Sequence, residues 1–155
     1  MPVRLPPDLK RDLDDYLAAA LASGGEPPPE LTAQLAAARR VPFRDSLLAL
    51  IRGSGRIDSE VYAAAGIDRR HYSKIRNDPE YRPDKITVVS LAFALGLGLH
   101  DAEKLLRSAG FALSPASVFD LICRYFFENA PADPDRVNDA LWTYRQPLVC
   151  GVRLD

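Results

Sequence analysis

Between Phe43 and Leu97 the chain alternates short stretches of helical apolar spacing with glycine turns. Apolar residues three and four apart lie on one face of a helix, and a glycine just past the last of them stops it. Such punctuation excludes long helices and leaves a bundle of short ones. A first helix, Pro42 to Arg52, buries a stripe of Phe43, Leu47, Leu48, Leu50 and Ile51, and Gly53-Ser54-Gly55 closes it. Asp58 is expected to cap a second, Ser59 to Ala65, with Val61 and Ala65 inward. Gly66 then supplies a tight turn, Ile67 pins that turn to the core, and Asp68 caps a third helix. Tyr72 and Ile75 of this third helix point inward, which leaves Arg69, Arg70, Ser73, Lys74 and Arg76 on its outward arc.

After a loop, Asn77 to Pro83, Asp84 caps a fourth helix whose apolar set is Val88, Val89, Leu91, Ala92, Ala94 and Leu95. Gly96 and Gly98 end it. His100 to Ser108 is a fifth, with Ala102, Leu105, Leu106 and Ala109 inward.

The formal net charge is −1, which by itself does not point to nucleic acid. Its distribution does. Residues 39–76 hold 9 Lys/Arg against 4 Asp/Glu, whereas 1–38 and 77–155 each carry a net charge of −3. The positive charge therefore gathers on the short helices around Gly66, and a local basic patch matters more for phosphate contact than the global balance. A helix, a glycine turn and a second helix with a basic face is the layout of a helix-turn-helix that enters the major groove. Arginine forks match guanine edges, while serine and lysine suit phosphates. Tyr81 and Arg82 in the following loop are placed for a backbone-phosphate contact. Ordinary solvated charge is the bland alternative.

Both flanks read as helical. Asp8 to Ser23 carries a stripe of Leu9, Leu13, Tyr16, Leu17, Ala20 and Leu21, and Gly24-Gly25 stops it. Glu26-Pro27-Pro28-Pro29 is a stiff connector, and Glu30 to Arg40 is a second, alanine-rich helix. These helices either pack on the core, hold a second copy of the chain or contact another protein. On the other side Ser114-Pro115 is a cap followed by proline, ahead of Val118, Leu121, Ile122, Tyr125 and Phe126, with Phe127 beside them. Asp133-Pro134 repeats that start before Val137, Ala140, Leu141 and Tyr144, with Trp142 alongside, and Val149 to Asp155 is a short tail. The aromatic residues either complete the monomer core or build a dimer.

Cys123 and Cys150 form no CxxC pair and do not converge with His71 and His100 on a metal site, so no metal or cofactor is expected. No catalytic constellation is legible, and the chain does not read as an enzyme. Asp120, in VFDLICRYFF, is read as a helix-surface acid. No run approaches the ~18 apolar residues of a membrane span. The charged, Pro-rich start lacks the apolar core of a secretory signal, so the expected location is the cytoplasm.

Ala65-Gly66-Ile67-Asp68 through Ser73-Lys74-Ile75 resembles the turn and third-helix signature of the lambda-repressor-like, Cro/C1-type (XRE) helix-turn-helix family. Arg82-Pro83-Asp84, Thr87-Val88 and Leu91-Ala92-Phe93-Ala94-Leu95-Gly96-Leu97 resemble that family's fourth helix. The chain departs from the pattern at Asp58-Ser59, at Tyr62 and at Arg76. The wider chain looks like a bacterial subgroup with extra C-terminal helices. The resemblance implies an all-α fold with a core of about five helices, residues 41–112. Residues 1–40 are then an N-terminal extension, and residues 113–155 a C-terminal one, packed on the core or forming a dimer interface. It further implies a homodimeric regulator of transcription that binds double-stranded DNA, with helix 68–77 in the major groove. Arg69, Arg70 and Ser73 would meet base edges, Lys74, Arg76, Arg82 and Ser59 would hold phosphates, and His71 would sit at the groove's edge. The alternative is an interaction module of the same fold, which binds a protein partner through its terminal helices and does not read DNA sequence.

Overall fold

A computed structural model describes residues 5–22 and 42–151, and these form eight helices with no strand among them. They are α1 (Pro7–Ala22), α2 (Phe43–Ser54), α3 (Asp58–Ala64), α4 (Arg69–Asn77), α5 (Lys85–Ala94), α6 (Leu99–Ser108), α7 (Val118–Glu128) and α8 (Pro134–Thr143). The chain is all-α, as its apolar spacing predicts. The Glu26–Pro29 connector and the helix expected at Glu30–Arg40 lie outside the described residues.

The arrangement grows from α5, in which every residue from Val88 to Ala94 is buried. A helix apolar on all sides has to be covered on all sides. It packs against α3 and α6; α6 also packs on α2 and α7, and α7 on α1 and α8. Phe93 of α5 stacks on the fully buried Phe127 of α7, with ring centroids 4.2 Å apart. In α2, Phe43, Leu47 and Ile51 are buried as expected, while Leu48 and Leu50 are only half covered.

Carboxylates start three of the helices. Asp68 accepts the His71 amide at 2.7 Å, Asp84 the Thr87 amide at 2.9 Å and Asp133 the Asp135 amide at 3.0 Å. Each bond satisfies a donor that a helix start leaves orphaned. Two expected caps are corrected. Asp58 is the first residue of α3 rather than its cap, and its carboxylate instead pairs with Arg76 at 3.1 Å. The helix after Ser114-Pro115 begins only at Val118, with Ser117 as its cap. Ser114 Oγ accepts the Ala116 amide at 3.1 Å, so 114–116 fold as a turn that competes with the helix.

Asp120 is also corrected: it is 2% exposed, not a surface acid. Its Oδ2 accepts from Lys85 Nζ at 2.6 Å and from the Ser114 amide at 2.7 Å. A buried carboxylate persists only where a counter-charge and hydrogen bonds compensate the lost water, and both are supplied here.

Both α1 and the segment after α8 pack back on the other helices. Leu13 and Leu17 of α1 are buried, and Tyr16 meets Tyr125 of α7 edge-on at 5.8 Å. Tyr144 donates to Asp14, which draws that carboxylate below its usual range with help from Lys10. Phe119, Phe126 and Phe127 are turned into the core of the same chain, while Trp142 stays exposed. Val149, where a short tail was expected to begin, is fully buried. Asn138 brackets it, accepting its amide at 2.8 Å and donating to its carbonyl at 3.0 Å. Burial raises the Cys123 thiol well above the usual range and pushes Cys150 up to about 11, so neither is a ready thiolate.

Candidate nucleic-acid interface

Gly66 sets the approach to α4. With φ of 68° it turns the chain at the end of α3, where its amide donates to Ala63 and the next amide, Ile67, donates to Tyr62. This pair of bonds closes a helix only when the residue after the cap is left-handed, which glycine adopts without steric cost. Ile67 is buried behind the turn, and Asp68 starts α4 at once.

α4 carries four cations and no carboxylate. Its buried residues are Tyr72 and Ile75, three apart and so on one face. Arg69, Arg70, Ser73, Lys74 and Arg76 are exposed, as the periodicity predicts. Arg69 and Arg70 form no side-chain hydrogen bond or ion pair with the described residues.

The structure divides the candidate residues into groups. Ser59, Arg69, Ser73 and Arg76 line one open groove between α3 and α4. Arg76 is exposed but already paired with Asp58, so a phosphate would have to compete for it. His71 and Lys74 gather instead about Tyr81: His71 Nε2 lies 3.0 Å from the Tyr81 hydroxyl, and Lys74 Nζ lies 6.0 Å from the ring centroid. Arg82 lies apart, against the Gly110 turn that follows α6.

Two further groove residues, Arg56 and Ile57, escaped the sequence reading, and Tyr62, a departure from the family's pattern, lines the groove with them. Arg56 is fixed by donating to the Ala94 carbonyl at the end of α5, a contact with no local signal. Tyr62 stands where a small residue was expected, and its ring lies 4.9 Å from that of Tyr72. Ile57 is 61% exposed, the largest value among the big apolar side chains of the described residues.

Among the described residues the Tyr72 hydroxyl beneath the groove is buried with no partner at good hydrogen-bond geometry, although the Asp58 carboxylate is near enough to act on it. Burial, and then the nearby Asp58 carboxylate, push it up to about 12 from the usual 10. The neutral form is thus favoured in the fold, and its contribution to stability is complete below pH ~10 and lost as pH rises towards ~12. Tyr72→Phe removes an unpaired buried hydroxyl, so it should raise stability by about 1 kcal/mol at neutral pH. It should also flatten the fall in stability between pH ~10 and ~12; urea unfolding at several pH values checks both.

Among the described residues no group of three or more His, Cys, Asp or Glu could hold a metal ion, and no helix is long and apolar enough to cross a membrane. Comparisons of the chain with models of protein families, with curated proteins and with solved structures return no match.

Proposed function

We propose that α3, the Gly66 turn and α4 act as a lambda-repressor-like helix-turn-helix, and that the protein is a dimeric DNA-binding regulator of transcription. The observation that carries this reading is α4 itself, with four cations, no carboxylate and only two buried residues. A helix so thinly packed and so uniformly charged is poorly explained by stability alone, and it suits a polyanion. Arg69 and Arg70 are exposed, make no side-chain bond to the described residues and would meet base edges, with Ser73 beside them. Ser59 and Lys74, together with Arg76 once it leaves Asp58, serve phosphates. Arg82, beside Gly110, is at most a flanking contact. A homodimer would place two copies of α4 one DNA turn apart, about 34 Å.

Ile57 favours a second reading, since a large apolar side chain at the rim of the groove suits a protein partner better than a phosphate. Salt separates the two. Two phosphates neutralised per subunit, by Lys74 and Arg76, give a log–log slope of about −1.8, or roughly −3.6 for a dimer, whereas an apolar interface has almost none. Fluorescence anisotropy against randomised duplex DNA at two salt concentrations, with sequencing of the bound fraction, is the test. Steep salt dependence with an enriched palindrome is expected. Absence of binding at low salt would transfer the proposal to the interaction module.

A further inference from the structure

The last described residues lie against the turn that leads into α4. A Cβ on Gly66 would stand 2.2 Å from the Cys150 carbonyl oxygen and 2.5 Å from Gly151 Cα. The fit is mutual, because a Cβ on Gly151 would stand 2.7 Å from the Gly66 carbonyl oxygen. Two other helices anchor this segment. Asn138 of α8 brackets Val149 through both main-chain groups. Ser90, a buried polar residue within α5, accepts the Cys150 amide at 2.8 Å. Cys150 itself has φ of 59°, a left-handed conformation that a non-glycine residue keeps only where its surroundings impose it.

α4 has little else to hold it. Beyond Tyr72 and Ile75 it is held by the turn, the Asp68 cap, the Arg76–Asp58 pair and the contacts of His71 and Lys74 with Tyr81. We infer that Val149, Cys150 and Gly151 form a strap that sets the α3–α4 turn, and that releasing it loosens α4 while the remaining helices stay folded. Elements with few buried contacts open at lower free energy than the core, so a contact at the hinge governs their excursions. The strap's hold on α4 stands whatever α4 binds, independently of the function proposed above.

Native-state hydrogen exchange on the full chain tests it, with Asn138→Ala and Ser90→Ala as variants. Both cut an anchor from outside the turn and α4, and Ser90→Ala loses only a hydroxyl from a helix that accepts alanine well. The Ile67, Tyr72 and Ile75 amides are expected to exchange at least tenfold faster in both variants, with α6 amides within twofold of wild type. Unchanged α4 exchange while the Val149 amide loses protection would overturn the inference. So would uniform acceleration through α6 and α7, which would make the segment part of the global fold. An α4 that still spends nearly all its time closed binds as before, so duplex affinity of the strap variants does not bear on DNA reading. Faster α4 exchange therefore leaves the strap standing on its own, and duplex affinity of Arg69→Ala/Arg70→Ala decides the reading role separately.

Discussion

Replacing Arg69 and Arg70 together by alanine is expected to weaken duplex binding by about 30-fold or more, while helicity and the unfolding midpoint stay where they were. A good bidentate arginine–guanine pair contributes about 1–3 kcal/mol, so the loss of two amounts to roughly 2–6 kcal/mol, or about 30-fold to 10⁴-fold in affinity. Stability should not follow, because neither arginine is buried or bonded to another side chain among the described residues. Exposed substitutions of this kind stay within about 0.5 kcal/mol. The contrast with Arg76→Ala sharpens the test. That change also breaks the ion pair to Asp58, an exposed contact worth about 0–1 kcal/mol, and should reduce affinity less than the double variant does. Anisotropy titrations at one fixed salt, with circular dichroism on the same samples, decide it. An unchanged affinity in Arg69→Ala/Arg70→Ala would take α4 out of the reading role, whatever the salt dependence of the wild type.

The parts of this molecule that could be read from the sequence are those whose cause is local. The Asp68 and Asp84 caps bond amides three residues on, and the Tyr72–Ile75 face follows from helical spacing. The exposed cations of α4 follow by subtraction. What could not be read depends on partners distant in sequence. Nothing near Asp120 announces Lys85, 35 residues earlier, so a buried acid in an apolar helix looked like a surface one. Val149 looked like tail because the amide that brackets it belongs to Asn138. Asp58 was read as a cap because its side chain can reach the next amides, but the Arg76 guanidinium offers it a charged partner instead. The same limit applies to the candidate interface. Its outward residues were legible one by one. Their division between the groove, the Tyr81 cluster and the Gly110 turn was not, since that depends on how α3, α4 and the loops meet.

The Lys85–Asp120 pair is where single changes should affect stability most. Lys85→Met leaves the Asp120 carboxylate at 2% exposure with only the Ser114 amide to hold it. Removing one partner of a buried pair costs about 3–5 kcal/mol, because the other charge stays behind without compensation. In a domain of this size that corresponds to a midpoint lower by roughly 6–20 °C. Asp120→Leu should cost less, about 2–3 kcal/mol, since Lys85 is 28% exposed and can turn to solvent, and the main loss is then the unpaired Ser114 amide. The double variant is the informative one. With both charges gone, an apolar pair of similar volume can recover most of the loss, so the combined cost should fall below the sum of the single costs by about 2 kcal/mol or more. Urea unfolding of the four proteins measures this coupling. Simple additivity would mean that the two side chains do not depend on each other in the folded chain, and that the 2.6 Å contact between them contributes nothing to its stability.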